Sequence, residues 1–234
     1  MTDAHTHLLP CLDDGSRSVE ESLSLLAELK KQGVSRVIAT PHFYAEENNP
    51  ERFLRKRQQA FERLVEAEPD VNEIMRLGAE VRYYRGIGKT ECLRDFAIQG
   101  TEFLLVEMPF IDWPESVTAE VLEIAREQRL TVILAHVDRY LTKQNIALLD
   151  ELSEEGVLFQ ANADSFTDRK RQKKMLSLLA QRKIRFIGSD CHNMNHRPPN
   201  IAPALSVIEK KLGADTVAWL EHNSHLFFRE AVTP

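Results

Sequence analysis

The chain has 234 residues with 36 acidic and 30 basic side chains, for a formal net charge of −6. A composition 43% hydrophobic and 28% charged suits a soluble globular chain and excludes disordered, collagen-like and coiled-coil classes, while the acidic balance argues against a nucleic-acid-binding face. Three cysteines cannot build a disulfide framework and suit a reducing compartment.

The segment from Met1 to His7 has neither a basic nor an apolar leader region. No apolar run approaches the ~20 residues that span a bilayer. A cytoplasmic protein without membrane insertion is therefore expected. The opening residues through His7 read as a first strand. Ser18-Val19-Glu20-Glu21 is a capping-box signature ahead of Leu23, Leu25, Leu26 and Leu29, and Gly33 is a plausible helix stop. A strand follows at 34–40, then a helix at 50–68, strands at 74–80 and 103–107, and a helix at 114–128. The alternation continues with strands at 130–136, 157–162 and 184–190 and helices at 144–155, 168–182 and 200–212. The strand segments are short, β-branched-rich and apolar on both faces, as buried parallel strands are. Seven strands alternating with helices predict a single-domain α/β chain over 1–234. The expected architecture is a distorted, TIM-like β/α barrel of about seven parallel strands, with an open doubly wound sheet as the alternative.

Nearly every strand ends in a metal- or anion-competent side chain. Strand one carries Asp3-x-His5-x-His7, and the second runs into His42. The third ends in Glu80, the fourth in Glu107, and the fifth in His136 with Arg139 just beyond. The sixth ends in Asn162 and the last in Asp190-x-His192, followed by Arg197. In a β/α barrel these ends converge on one face, which holds the chemistry. Alternate strand residues point the same way, so His5 and His7, or Asp190 and His192, can grip one ion together. Asp14, in Asp13-Asp14-Gly15-Ser16, joins this set, although alone it would be a turn residue. His196 is a weaker candidate, and His222 and His225 read as surface or structural.

Histidine with carboxylate and no cysteine cluster suits Mn, Fe or Zn in a reactive rather than a structural site. The candidate ligands are His5, His7, Asp14, His42, Glu80, Glu107, His136, Asp190 and His192. They exceed what one ion accepts, so two or three divalent ions are expected, with Glu80 as a possible bridge. The surplus positive charge would attract a phosphate dianion, and clustered metals are a recurrent phosphoester device. Arg139 and Arg197 add planar donors for phosphate oxygens.

Asp3-Ala-His5-Thr-His7, Thr40-Pro-His42, Glu80, Glu107, Ala135-His136-Val-Asp-Arg139-Tyr140 and Gly188-Ser-Asp190-Cys-His192-Asn193 together resemble the PHP (polymerase and histidinol phosphatase) superfamily. Asp13-Asp14-Gly15, Gly78-Ala-Glu80-Val-Arg-Tyr83-Tyr84 and Arg197-Pro198-Pro199 are similar to the bacterial capsule and exopolysaccharide tyrosine phosphatases of the CpsB/YwqE type. The resemblance spans nearly the whole chain. It implies a PHP-type distorted barrel, a trinuclear site usually described with manganese, and hydrolysis of protein phosphotyrosine. It places the nine ligands on metal and Arg139 and Arg197 on phosphate. The implied partner is an autophosphorylating bacterial tyrosine kinase. One departure is Val137-Asp138, where relatives often carry Pro or Ile followed by Glu; it removes no ligand.

Three alternatives compete. Histidinol phosphate or another small phosphomonoester would use the same metals. Cys11 and Cys191 each begin a Cys-x5-Arg spacing, the signature of a cysteine phosphatase, but Asp13 and Asp14 in the first would repel phosphate and Cys191 lies between two expected ligands. A metal-loaded regulatory protein without catalysis is the third. Phe110, Trp113, Tyr83 and Tyr84 could line an aromatic-accepting rim or pack in the core.

Overall fold

The structure, a computed structural model, describes residues 1–228. Strand β1 (Thr2–Thr6) leads into α1 (Val19–Lys31), β2 (Arg36–Ala39), β3 (His42–Phe43), α2 (Pro50–Ala67), the short α3 (Val71–Ile74), β4 (Met75–Leu77) and β5 (Glu80–Arg82). Then come β6 (Phe103–Glu107), α4 (Glu115–Gln128), β7 (Thr131–Leu134), α5 (Lys143–Glu154), β8 (Leu158–Asn162), α6 (Gln172–Ala180), β9 (Ile184–Gly188), α7 (Ile201–Leu212) and α8 (Ala214–Ser224). Local chemistry explains the early helices. Ser18 caps α1 by accepting from Glu21 N–H, and Asn49 caps α2 by accepting from Arg52 N–H with Pro50 at its start.

Every strand pairing is parallel, in the orders β1-β2-β4 and β3-β5-β6-β7-β8-β9. The two sheets are one expected ring with two strands broken. β2 and β3 are separated by Thr40-Pro41, and β4 and β5 by Gly78-Ala79. Pro41 has no N–H to give a ladder. Its carbonyl nevertheless accepts from Glu80 N–H (3.0 Å), and Ala39 C=O accepts from Gly78 N–H (2.8 Å), which carries the pairing across the break. The first and last strands also meet. Asp190 N–H donates to His5 C=O (2.9 Å) and His7 N–H to Cys191 C=O (3.0 Å), beside a parallel Thr6–Cys191 bridge. The expected seven-stranded distorted barrel is the fold observed. The strand expected at 74–80 is replaced by β4 and β5, and the helix expected from 168 starts at Gln172. There the Asp168 carboxylate accepts from Lys170 and Arg171 N–H (2.7 and 3.3 Å), a local turn that competes with helix.

The main core lies between strands and helices. A second, smaller cluster of Ala4, Ile38, Leu105, Ile133 and Phe186 is joined by Phe227 from the chain's C-terminal end. Burying a ring such as Phe227, which is 1% exposed, stabilises the fold by about 1.5–3 kcal/mol. No described helix is long and apolar enough to cross a membrane.

Candidate metal centre

The strand ends bring all nine expected ligands into one cluster. His7, Asp14, His42 and His192 form one group of converging ligand atoms, His5, His7 and Asp190 a second, and His42, Glu80 and Glu107 a third. His136 joins through Nε2, which lies 2.7 Å from Glu80 Oε1 and 3.4 Å from Glu107 Oε1. His7 and His42 are each shared by two groups, and Glu80 reaches His5, His7, His42 and His136. All are buried except Asp14, whose side chain is 67% exposed, and His42 at the cleft edge.

Partner chemistry assigns the histidine tautomers. His5 Nδ1–H donates to Gln160 Oε1 (3.2 Å), and His7 Nδ1–H to Asp13 Oδ2 (2.7 Å). His192 Nδ1–H donates to the Asp190 carbonyl (3.0 Å), and His136 Nδ1 faces the Tyr140 hydroxyl (3.0 Å). Each ring is thereby held from behind with Nε2 turned inward, the arrangement expected of metal-ligating histidines. His5 Nε2 and His7 Nε2 then face each other at 3.1 Å, both beside Glu80 Oε2 and Asp190 Oδ1. Two lone pairs and two carboxylate oxygens at that range require a shared positive charge. His42 Nδ1 sits 2.9 Å from Glu80 Oε2 yet lacks hydrogen-bond geometry, so the two atoms aim at a common point rather than at each other. This donor set fits divalent cations.

The electrostatics agree. Burial pulls the His7 imidazole down, but Asp13, with Asp190 and Glu80, outweighs it and holds His7 well above its ordinary range. Burial likewise opposes protonation of His136, and bonds to Glu107 and Glu80 overcome it, raising that group to about 9. His192 drops to about 4 through burial and its neighbours His7 and Arg197. Burial favours protonation of Glu80 and Asp190, but the surrounding histidines, His5 first, keep both well below the usual carboxylate range. Protons and cations thus compete for the same Nε2 atoms. Backbone strain adds to the design, because His136 and Asp190 adopt positive φ of 33° and 53°, a conformation that costs roughly 1–3 kcal/mol each and clusters at functional sites.

Arg139 and Arg197 lie at the mouth, about one-third exposed. Arg139 Nη2 donates to Asp190 Oδ2 (2.8 Å), Arg197 pairs with the same oxygen, and Arg197 Nη1 reaches His192 Nε2 (2.8 Å). Asn162, at the end of β8, donates to that oxygen as well (2.7 Å). Three supporting residues escaped the sequence reading. Asp13, not Asp14, orients His7 and also accepts from His42 N–H (2.9 Å). Gln160 is fully buried and accepts from His5 and from His136 N–H (2.6 Å). Tyr140 accepts from Met108 N–H (2.9 Å) while bracing His136. Only the parity of Gln160 with Asn162 on one strand could have signalled its position. Two glycines permit this packing. A Cβ at Gly188 would lie 2.5 Å from His5 Cβ, and one at Gly15 2.3 Å from the His7 carbonyl.

Of the possible rim aromatics, Trp113 is fully buried, Tyr83 bonds Glu120 and Tyr84 bonds Thr90. Phe110 alone is exposed at the site (52%), stacked on His136 at 5.8 Å and on Tyr140 at 5.7 Å. His196, His222 and His225 are exposed and stay outside the cluster. Cys11 lies in an exposed loop, and burial pushes the Cys191 thiol far up, opposite to what a nucleophile needs.

A family model for capsular polysaccharide synthesis, CpsB/CapC, matches residues 1–227. Tyrosine-protein phosphatase YwqE of Bacillus subtilis is 28% identical over 236 residues, covering 98% of this chain and 92% of its own. Tyrosine-protein phosphatase CpsB of Streptococcus pneumoniae is 28% identical over 230 residues, covering 92% of each chain. Among solved structures, a chain from the crystal structures of YwqE from Bacillus subtilis and CpsB from Streptococcus pneumoniae, described as unique metal-dependent tyrosine phosphatases, superposes with a TM-score of 0.84. It is 26% identical and covers 100% of this chain and 96% of its own. A phosphotriesterase homology protein from Escherichia coli shares the fold alone, with a TM-score of 0.56, 14% identity and coverage of 97% of this chain and 98% of its own.

Proposed function

The chain belongs to the CpsB/CapC capsular polysaccharide synthesis family, and from that premise we propose that it is a metal-dependent protein-tyrosine phosphatase. It acts as one domain in the cytoplasm, on a phosphotyrosine protein. The partner that fits the family is a bacterial tyrosine kinase of capsule or exopolysaccharide synthesis. The carrying observation is the convergence of histidine Nε2 atoms and carboxylates directly beside two guanidinium groups.

His5, His7, Asp14, His42, Glu80, Glu107, His136, Asp190 and His192 would hold two or three divalent ions. Manganese is the first choice, and iron or zinc suits the same donors. Bound there, such ions supply Lewis acidity that activates water and neutralises phosphoryl charge. The remaining work falls to the chain's own side chains. Arg139 and Arg197 both reach for one oxygen of Asp190, and the same converging donors suit a phosphate oxygen, so they bind, orient and stabilise the charged group in transfer. Phe110 offers a half-exposed ring beside His136, a face for the substrate's phenol ring. Tyrosine leaves with an ordinary pKa of about 10, which lowers the demand for a general acid. Asp13, Gln160 and Tyr140 fix the ligand rings.

The test is phosphate release from a phosphotyrosine peptide and from histidinol phosphate, by chelator-stripped protein before and after Mn is restored. Restored hydrolysis of the peptide is expected, abolished in His136→Ala. Faster turnover of histidinol phosphate would favour the small-substrate alternative. Hydrolysis of neither would favour a regulatory metal protein.

A further inference from the structure

Residues 169–174 read Arg-Lys-Arg-Gln-Lys-Lys, five of the chain's 30 basic residues in six positions on a protein of net charge −6. Arg171 turns inward and pairs with Asp138 (2.7 Å), Asp164 (2.8 Å) and Asp168 (3.4 Å). The others, Arg169, Lys170, Lys173 and Lys174, are exposed and have no ion-pair partner among the described residues. Lys173 and Lys174 occupy the first turn of α6, which holds no acidic residue. A cation there opposes the helix macrodipole, so the fold alone gives no reason for this arrangement.

The run is not remote from the metal centre. One surface cavity of about 400 Å³ is lined by Asp138, Arg139, Thr142, Lys170, Arg171 and Lys174. Its Arg139 wall is the residue that reaches Asp190. Arg171 anchors the run to Asp138, whose other oxygen accepts from Asn162 N–H (2.9 Å) at the end of β8. Both walls are thus tied to the strand ends that carry the ligands. A cation-lined trough opens beside Arg139, one of the two guanidinium groups assigned above to phosphate.

The geometry points to a docking surface for anionic side chains that flank the phosphotyrosine in the substrate, with the trough residues Lys170 and Lys174 as specificity-determining residues. This rests on the phosphatase reading above. An extended peptide advances about 3.3–3.6 Å per residue, so with its phosphate at Arg139 its next few residues can lie along the trough. Carboxylates and second phosphates share the chemistry that the lysines select. Exposed charge pairs of this kind act mainly on encounter and KM.

The test uses the Mn-loaded full chain and the variant Lys170→Ala/Lys174→Ala. Substrates are phosphotyrosine peptides flanked by glutamate, by phosphoserine or by neutral residues, with p-nitrophenyl phosphate as a flank-free control. Wild type should prefer the anionic flanks by about tenfold in kcat/KM, through KM. The preference should fade between ~0.01 M and ~1 M salt as the screening length drops from ~30 to ~3 Å. The variant should lose the preference and keep its p-nitrophenyl phosphate rate, and the matching Lys→Arg variant should keep both. No preference in wild type, or an unchanged preference in the alanine variant, overturns the proposal. So does an equal loss on p-nitrophenyl phosphate, or lysine-dependent binding of phosphatidylserine-rich vesicles without a peptide preference. If wild type hydrolyses nothing, the phosphatase reading fails by itself. Fluorescence anisotropy of a labelled glutamate-rich peptide on the same proteins then still decides: lysine-dependent binding supports the docking surface, and none overturns it.

Discussion

Replacing Asp13 by asparagine asks whether the histidine ring is held from behind as the geometry requires. The Asp13 carboxylate accepts from His7 Nδ1–H at 2.7 Å, His42 N–H at 2.9 Å and Gly15 N–H at 3.0 Å. An asparagine has one acceptor oxygen. If that oxygen serves His7 and His42, its NH2 group meets the Gly15 donor head-on. A buried donor without a partner costs about 1–3 kcal/mol, and weakening a charge-assisted bond to a neutral one costs roughly another 1 kcal/mol. Asp13→Asn should therefore lower the stability of the metal-stripped protein by about 2–4 kcal/mol, read by urea denaturation. With the ring less firmly oriented and less basic, affinity for Mn should fall about 10–100-fold, read by calorimetric titration. The adjacent Asp14 is the control. Its side chain is 67% exposed, so Asp14→Asn should leave metal-stripped stability within about 0.5 kcal/mol. An Asp13→Asn protein with wild-type stability and Mn affinity within threefold would mean that Asp13 does not hold the His7 ring.

Three further predictions follow from the same geometry. His136 is raised to about 9, so at neutral pH it carries a proton that a cation must displace; apparent Mn affinity should rise by about tenfold per pH unit from ~7 towards ~9, and calorimetry in buffers of different ionisation enthalpy should show proton release, whereas a pH-independent affinity would contradict the assignment. Phe110→Ala should raise KM for phosphotyrosine or p-nitrophenyl phosphate by about 2–12-fold, the equivalent of a ring contact of ~0.5–1.5 kcal/mol, with no change for β-glycerophosphate; an equal effect on both kinds of substrate would remove the ring-contact role. Cys11→Ser and Cys191→Ser should each retain at least half the wild-type rate, and iodoacetamide should not inhibit; abolished activity in either variant would revive the cysteine mechanism.

Much of the fold was legible because each barrel strand is a short apolar run bounded by turns. The breaks at Thr40-Pro41 and Gly78-Ala79 were not, since the sequence does not reveal that Glu80 N–H finds the Pro41 carbonyl across the gap. The convergence of the candidate ligands was legible because metal-competent side chains at strand ends alternate along one strand and repeat from strand to strand, as in His5-x-His7 and Asp190-x-His192. What holds those candidate ligands was hidden. Asp13 and Asp14 are indistinguishable in sequence, and only the loop closing over Gly15 turns one inward and leaves the other in solvent. Gln160 reads as a polar residue in a strand until His5 and the strained His136 backbone converge on its single oxygen. Phe110 and Trp113 are three residues apart with opposite exposure, because Trp113 docks against Asn145 and the Pro109 carbonyl.

Metal-dependent catalysis is tested by phosphate release from a phosphotyrosine peptide, measured against the number of Mn ions bound per chain as stripped protein is titrated back. Negligible release from the stripped protein is expected, with full activity only when two or three ions are bound. A stripped protein that keeps its rate, or a fully loaded one that releases no phosphate, would contradict metal-dependent catalysis.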